Sequence, residues 1–277
     1  MNAIEITNLS KHYKTFSLEN INLTLPQGCI IGLVGENGAG KTTTIKLMLN
    51  AIKKDSGNIK ILGKDHTECN KEDVGIVLDE SCYPHCFNLK ELNNVLKNIY
   101  KNWDEKQYFD YIKKFNLPLN KKFIEFSKGM KMKFSITVAL SHNASLLILD
   151  EPTSGLDPVV RNEILDIFNE FTRDENNSIL ISSHIVSDLE KLCDYIAFIH
   201  EGKLILFEEK DILLDEYGII HCSKEDLSKL DQTAIIGKKE SDYGVSAVIK
   251  KEFAPSSSSI SKISIEDLFV FMIKGAK

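Results

Sequence analysis

Residues 35–42 read Gly-Glu-Asn-Gly-Ala-Gly-Lys-Thr, and this octapeptide decides the fold of the chain. It matches G-x-x-x-x-G-K-[ST], the pattern of a phosphate-binding P-loop. Its glycines let the backbone curl so that successive N–H groups point at a polyphosphate. Lys41 adds a positive charge for the β- and γ-phosphates, and Thr42 offers a hydroxyl to Mg²⁺. The residues predicted to contact a nucleotide here are Gly35, Asn37, Gly38, Ala39, Gly40, Lys41, Thr42 and Thr43.

The segments on either side of the loop have the character that such a site requires. Residues 29–34 read as a buried strand, and residues 43–52 read as a helix with apolar side chains on one face. The N-terminus of that helix adds N–H donors and a positive dipole for phosphate groups. A chance glycine turn rarely matches all four fixed positions in this context, so the sequence predicts a nucleotide site.

The pattern along the chain predicts an α/β fold with a P-loop NTPase core. Alternating apolar strands and amphipathic helices imply a mostly parallel sheet with helices on its faces, and residues 3–25 read as N-terminal antiparallel strands. Residues of about 81–143 have helical spacing and predict a mostly helical subdomain inserted into this core. We therefore expect an ATPase domain over 1–212 and a small C-terminal α+β accessory domain over 213–277.

Composition and charge argue against several classes of function. The 277 residues are 43% hydrophobic and 27% charged, which is typical of a soluble globular protein. A formal net charge of −6 argues against a nucleic-acid binder, which needs surplus cations. No apolar run is long enough to span a membrane, and the first ten residues lack the pattern of a signal peptide. Cys82 and Cys86 have the spacing of half a metal site, but a second ligand pair is missing.

A second segment supplies the carboxylates that phosphate chemistry needs. Residues 146–149 are Leu-Leu-Ile-Leu and precede Asp150 and Glu151. An apolar strand that ends in Asp is the Walker B arrangement, which puts one carboxylate beside Mg²⁺ at the carboxyl end of the sheet. Glu151 stands where a base would orient and polarise the water that attacks the γ-phosphate. Alone, such a pair is more often a charged strand end, but after a complete P-loop the catalytic interpretation is favoured.

With these motifs, residues 1 to 212 resemble the nucleotide-binding subunit of an ATP-binding cassette (ABC) transporter. Tyr13 lies where that family has an aromatic that stacks on adenine, although an ordinary edge-strand tyrosine is the alternative. Residues 154–157 match the D-loop, which crosses the dimer interface in the family, and Asp157 also suits a helix N-cap. His184 follows a strand, as does the family's switch histidine, which contacts the γ-phosphate.

The signature motif departs from the family's commonest form, Leu-Ser-Gly-Gly-Gln. Residues 126–130 read Phe-Ser-Lys-Gly-Met. The resemblance implies that Ser127 and Gly129 still aim a hydroxyl and a backbone N–H at a γ-phosphate. Lys128 adds a cation near the phosphates or reaches solvent. Variants of this form resemble those of bacterial exporters of the ABC-2 kind.

A second departure is Asp79, which stands where the family's Q-loop usually has Gln. A carboxylate here could meet Mg²⁺ or water, so Asp79 joins Thr42 and Asp150 as a candidate metal ligand. Tyr83, Pro84 and Phe87 follow it. They are a candidate docking groove for a membrane partner because loop aromatics there have no evident core role. Packing of these side chains on the core is the alternative.

The resemblance implies an ATP-hydrolysing subunit that drives export through a separate polytopic membrane permease. Two copies, or one copy and a homologous ATPase, would enclose two ATP molecules head to tail with Mg²⁺. Glu151 and His184 are the implied catalytic residues, and Ser127 and Gly129 would come from the opposite subunit. Such a subunit would lie at the cytoplasmic face of the cell membrane, held by the permease and without nucleic acid.

Two other functions stay open. A soluble ABC ATPase could act on the ribosome or on DNA, but translation-factor types carry two cassettes and chromosome-maintenance types insert a long coiled coil, and neither feature is present. An ATP-binding regulator without turnover would fit the altered signature and Q-loop, although the Asp150–Glu151 pair argues against it. The cargo is out of reach, because the membrane subunit recognises it.

Overall fold

One large mixed sheet organises the chain. The computed structural model describes residues 1–79, 83–231, 233–241, 244–255 and 259–275. Ten strands form this sheet in the order β5-β4-β1-β2-β10-β9-β3-β8-β7-β6. They are β1 Asn2–His12, β2 Ser17–Pro26, β3 Ile30–Val34, β4 Ser56–Ile61, β5 Lys64–Asp65, β6 Val74–Val77, β7 Leu146–Asp150, β8 Ser178–Ser183, β9 Tyr195–His200 and β10 Lys203–Glu209.

The two halves of this sheet differ in strand direction. Strands β9, β3, β8, β7 and β6 run parallel to their neighbours in that series. Strand β1, by contrast, pairs antiparallel with β2 and β4. Every residue of β3 and β7 is buried, as expected of parallel strands with both faces covered. The predicted α/β fold, with antiparallel N-terminal strands beside a parallel core, is confirmed.

The α-helices of the described residues cover the sheet and extend beyond it. They are α1 Lys41–Met48, α2 Leu89–Ile99, α3 Glu105–Lys114, α4 Lys128–Leu140, α5 Pro158–Phe171, α6 Val186–Leu192, α7 Lys210–Glu216, α8 Lys224–Lys229 and α9 Ile265–Lys274. Within the described part of the chain, no helix is long and apolar enough to cross a membrane.

Helix α1 is shorter than its apolar pattern predicts. The pattern extends to residue 52, but the helix ends at Met48. Asn50 has a φ of +53°, the left-handed conformation that commonly terminates a helix. Ile52 still packs against the core from the following loop, which explains why the spacing suggested a longer helix.

Helices α2, α3 and α4 lie between β6 and β7 in the chain. Each begins at a side-chain cap: Asn88, Asp104 and Ser127 accept backbone N–H groups of their own first turns. Phe123 is fully buried between them, with its ring centroid 5.4 Å from that of Phe134. These three helices form the insertion that the sequence predicts over residues of about 81–143. Its residues 81 and 82 lie outside the described residues.

The C-terminal segment forms a second, antiparallel sheet in the order β12-β13-β11-β14. Its strands are β11 Tyr217–Cys222, β12 Ile235–Ser241, β13 Gly244–Lys250 and β14 Ile260–Ser261. Helix α9 begins at Ser264, whose Oγ accepts the Asp267 N–H at 3.0 Å. The α9 residue Phe269 lies 5.0 Å, between ring centroids, from Phe198 of β9. The last helix therefore packs into the core of the large sheet.

Candidate active site

Two glycines fix the backbone of the P-loop, which joins β3 to α1. Gly40 is the N-cap of α1 and has a φ of +118°, which L side chains rarely adopt. A Cβ atom at Gly40 would lie 2.9 Å from Leu18 Cδ1 of β2. A Cβ atom at Gly35 would lie 2.6 Å from the backbone oxygen of Ile199 in β9. A side chain is therefore excluded at Gly35 by backbone contact and strongly disfavoured at Gly40 by its φ, and the loop packs directly on β2 and β9.

Lys41 is buried beneath the loop. Its ammonium donates to the backbone oxygen of Gly35 at 2.7 Å and to that of Glu36 at 3.4 Å. It also lies 3.3 Å from Glu151 Oε1. The exposed fraction of the Lys41 side chain is 5%. A buried ammonium needs such partners, and phosphate oxygens are stronger ones than carbonyls.

Asp150 joins the P-loop to the central strands. It is the last residue of β7, and its Oδ2 accepts the hydroxyl of Thr42 at 2.8 Å. Its Oδ1 accepts the hydroxyl of Ser182 at 2.5 Å. Asp150 and Ser182 are direct register partners on adjacent parallel strands, which explains this contact. The sheet thus holds the carboxylate in one orientation, beside the first turn of α1.

Glu151 bridges the P-loop lysine and His184. Its Oε2 lies 2.6 Å from His184 Nδ1 and accepts the His184 backbone N–H at 3.3 Å. Its own N–H donates to the backbone oxygen of Ser182 at 3.1 Å. The φ of Glu151 is +53°, so the chain turns sharply where β7 ends. This turn points the second carboxylate back toward Lys41.

These side chains surround a cavity of about 260 Å³, termed the phosphate cavity below. It is lined by Phe16, Glu36, Asn37, Gly38, Gly40, Lys41, Thr42, Thr43, Asp79, Asp150 and Glu151. A concave site lined by an ammonium and by carboxylates suits a metal-bound polyphosphate. Thr42, Asp150 and Asp79 all line it, so the three predicted metal ligands share one cavity.

The lining of the phosphate cavity lacks Gly35, Ala39 and Tyr13, three of the predicted nucleotide contacts, and includes an aromatic residue that was not predicted. Tyr13 is 46% exposed and does not line the phosphate cavity, whereas Phe16 does. The two residues form a tight turn, in which the Tyr13 N–H donates to the Phe16 oxygen at 2.8 Å. Sequence reasoning missed Phe16 because no motif marks it. Only the turn brings its ring over Gly40, where Cζ would lie 3.1 Å from a Cβ atom.

The signature residues line a different cavity, of about 530 Å³, termed the signature cavity. Ser127 caps α4 by accepting the Met130 N–H at 3.3 Å. Gly129 and Asp157 line the same cavity, and a Cβ at Gly129 would lie 3.2 Å from Leu156 Cδ2. Asp157 is the N-cap of α5, as predicted. The chain therefore brings the signature beside its own D-loop rather than beside its own P-loop.

A buried network supports the loop that carries the D-loop motif. The hydroxyl of Thr153 donates to Asp188 Oδ2 at 2.9 Å, and both side chains are buried. Arg161 Nε of α5 lies 3.7 Å from the same oxygen. Asp188 of α6 thus ties the segment after Glu151 to two helices. The sequence gives no sign of this role for Asp188, because its partners are far away in the chain.

The two positions that depart from the family pattern meet each other. Lys128 Nζ lies 2.7 Å from Asp79 Oδ1. Asp79 also lines the phosphate cavity, and Lys128 lines the signature cavity. Both residues line a third cavity of about 410 Å³, together with Leu78, His85, Lys131, Met132 and Ser135. This third cavity is termed the docking groove below.

The expectation that the aromatics after Asp79 have no core role is wrong for both of them, Tyr83 and Phe87. The Tyr83 ring centroid lies 4.8 Å from that of Phe134 and 5.5 Å from that of Phe123. Phe87 also packs against the main core. Edge contacts between aromatic rings are favourable, so these side chains support the insertion. The packing alternative therefore holds for both side chains.

The cysteine pair considered for a metal site gains no support. Cys82 lies outside the described residues, and Cys86 is a free thiol. Among the described residues, no group of three or more His, Cys, Asp or Glu side chains could hold a metal ion.

Comparisons with known proteins agree with the fold and the motifs. Residues 18–154 match a family model described as ABC transporter. The lantibiotic transport ATP-binding protein SrtF of Streptococcus pyogenes is 37% identical over 212 residues, covering 75% of this chain and 91% of that protein. The bacitracin transport ATP-binding protein BcrA of Bacillus licheniformis is 37% identical over 211 residues, covering 73% and 68%.

A solved structure, described as the ATP binding subunit of an ABC transporter, has the same fold. Its TM-score is 0.69 and its sequence identity is 28%. The match covers 76% of this chain and 90% of that one.

Proposed function

We propose that this chain, which belongs to the family of ABC transporter ATP-binding proteins, powers export through a separate membrane-spanning subunit. Like the rest of this family it is an ATPase, so the reaction is ATP hydrolysis. The observation that carries the ATPase part of the proposal is that Lys41, Asp150 and Glu151 all line the phosphate cavity, with the Lys41 ammonium 3.3 Å from Glu151 Oε1. That set is sufficient to bind a triphosphate and to activate water beside it.

The donor set beside the P-loop fits Mg²⁺. The oxygens of Thr42 and Asp150 lie 2.8 Å apart, and the Asp79 carboxylate lines the same cavity. Mg²⁺ takes hard oxygen ligands, usually one or two from the protein and the rest from phosphates and water. When bound, the ion would neutralise charge on the β- and γ-phosphates. Thr42 and Asp150 are the ligands we propose first, since they already point at each other.

Lys41 and Glu151 then have different roles at the γ-phosphate. The Lys41 ammonium exchanges the carbonyl of Gly35 for phosphate oxygens, which bind a cation more strongly. The Glu151 carboxylate orients the attacking water and takes its proton. His184 holds that carboxylate at 2.6 Å and stands ready to contact the γ-phosphate. Glu151 and His184 are thus the proposed catalytic residues.

We further propose that a second subunit completes each site. Among the described residues that line the phosphate cavity, neither Ser127 nor Gly129 is present. Both line the signature cavity, where the N-terminus of α4 offers N–H groups and positive dipole to an anion. In a head-to-tail dimer, this surface would face the ATP of the other copy. A homodimer and a pair with a homologous ATPase satisfy this geometry equally.

The docking groove is the proposed contact for the permease. It lies between the end of β6 and α4, so movement at the nucleotide would reach it through Asp79. Lys131 lines it beside the ion pair of Lys128 with Asp79, and this surplus positive charge favours an acidic segment of the membrane subunit. The chain would then sit on the cytoplasmic face of the membrane. Since SrtF and BcrA are named for lantibiotic and bacitracin transport, an antimicrobial peptide is the first cargo class to test.

Purification of the tagged chain from its native membranes in mild detergent tests the transporter proposal. A polytopic membrane protein should be recovered in near-equal amount by mass spectrometry. Lys131→Glu in the docking groove should release it, whereas Lys101→Glu on an exposed part of the insertion should retain it. Recovery of ribosomal or chromosomal proteins with no membrane partner would instead support the soluble ATPase.

A further inference from the structure

The ion pair between Asp79 and Lys128 connects two cavities with different proposed roles. Asp79 lines the phosphate cavity, and Lys128 lines the signature cavity. Their charged atoms are 2.7 Å apart. Asp79 follows β6, whereas Lys128 is the first residue of α4. The pair therefore spans from the parallel core to the helical insertion.

This ion pair contributes little to the stability of the fold and can separate at low free-energy cost. The exposed fractions of the Asp79 and Lys128 side chains are 49% and 56%. Ion pairs at this exposure contribute little to stability, because water and salt screen the charges. An ion pair that separates at little cost in free energy suits a position where each charged side chain exchanges one partner for another.

A bound metal nucleotide offers Asp79 another partner. The carboxylate shares its cavity with Thr42 and Asp150, the two proposed Mg²⁺ ligands. A divalent cation attracts a carboxylate more strongly than an ammonium does at the same separation, because the interaction scales with charge. Coordination of the metal by Asp79 would therefore weaken its hold on Lys128.

The signature cavity offers the Lys128 side chain a second location. It lies in sequence between Ser127 and Gly129, and its side chain already lines the signature cavity. Its Cδ lies 3.8 Å from the position of a Cβ at Gly155 in the D-loop. A released ammonium here would stand beside the groups proposed to face the ATP of the other copy.

We propose that Lys128 is a movable cation of the composite ATP site. Asp79 holds it in the nucleotide-free chain and releases it when the chain's own site is loaded. The ammonium then binds the γ-phosphate of the ATP in the other copy. This inference rests on the proposed function, since it needs the head-to-tail dimer. It adds a consequence: nucleotide in one copy prepares that copy to bind the ATP of its partner.

The test compares variants in the Glu151→Gln chain, in which slow hydrolysis should preserve the ATP-bound dimer. Sedimentation measures the ATP concentration at half-maximal dimer formation. A fluorescent ATP analogue measures binding to the monomer at low protein concentration. Lys128→Met should raise the ATP concentration for dimer formation by about tenfold or more, the value of one charge-assisted hydrogen bond. It should keep or tighten monomer binding, because the nucleotide no longer has to break the pair with Asp79, and Lys128→Arg should restore dimer formation.

Asp79→Asn and a control lysine complete the design. Asp79→Asn should change dimer formation by different amounts in the parent and in the Lys128→Met chain, because the pair is already broken in the latter, whereas any loss of metal binding is common to both. Lys90→Met on the exposed side of α2 should have no effect. If Lys128→Met dimerises at the parental ATP concentration, the movable cation is wrong while the dimer stands. Equal loss of monomer binding would also overturn it, because Lys128 would then act on its own chain's nucleotide. Failure of the parent chain to dimerise would overturn the composite site itself.

Discussion

Replacing Glu151 by Gln removes one negative charge from the site and almost no volume. The amide oxygen of Gln can still accept the backbone N–H of His184, which now donates to Glu151 at 3.3 Å. The turn at this residue, with its φ of +53°, is the same for either side chain. The ion pair with Lys41 at 3.3 Å is lost, so the ammonium becomes freer to bind phosphate. ATP affinity should therefore be kept or become tighter.

Turnover should fall by a large factor in the same variant. A positioned general base contributes about 10²–10⁴-fold to rate, and Gln cannot accept the proton of the attacking water. This loss corresponds to about 3–5 kcal/mol of transition-state stabilisation. The measurements are phosphate release under saturating ATP and equilibrium binding of labelled ATP.

A matched control distinguishes the loss of a negative charge at this site from the loss of a negative charge elsewhere on the chain. Glu163→Gln makes the same chemical change on the exposed face of α5 and should keep parental turnover. Turnover of Glu151→Gln within a few-fold of the parent would refute the assignment, because water activation would then belong to another group. Loss of ATP binding would show instead that Glu151 supports the site structurally.

Three further outcomes follow from single contacts. Lys41→Ala should weaken ATP binding by about tenfold or more in equilibrium dialysis, since a charged hydrogen bond is lost; parental affinity would contradict the P-loop assignment. Phe16→Ala should weaken ATP binding more than Tyr13→Ala does, because Phe16 lines the phosphate cavity; equal affinities would contradict this. Phe269→Ala should lower the free energy of unfolding in urea by about 3 kcal/mol or more in one transition, because its ring packs on Phe198; an unchanged midpoint would contradict the shared core.

The parts of the fold that short sequence motifs specify could be predicted from the sequence. The P-loop has fixed spacing, and β7 is a continuous apolar run that ends in Asp150. Parallel strands align their carboxyl ends, so motifs after β7 and β8 had to meet. Glu151 contacts both Lys41 and His184, as this alignment predicts. Their catalytic roles stay predictions.

The features that could not be predicted depend on contacts distant in sequence. Phe16 reaches the phosphate cavity through a turn that no motif marks. The pairing of Asp79 with Lys128 needs the packing of α4 on the end of β6. The C-terminal segment looked separate because its composition changes after residue 212. Yet α9 contributes Phe269 to the core of the large sheet. In a single sequence, Asp79 and Lys128 are visible only as departures from the family's motifs, and the contact between them is not.

The most direct test of the composite ATP site is the mass and nucleotide content of the Glu151→Gln chain with ATP. Light scattering coupled to gel filtration should show a dimer that retains two ATP per pair. Ser127→Asp in that chain keeps a good N-cap for α4 but sets a negative charge against the phosphates. It should leave a monomer that still binds ATP. A dimer that forms without nucleotide, or that survives Ser127→Asp unchanged, would contradict the claim that each copy completes the other's site.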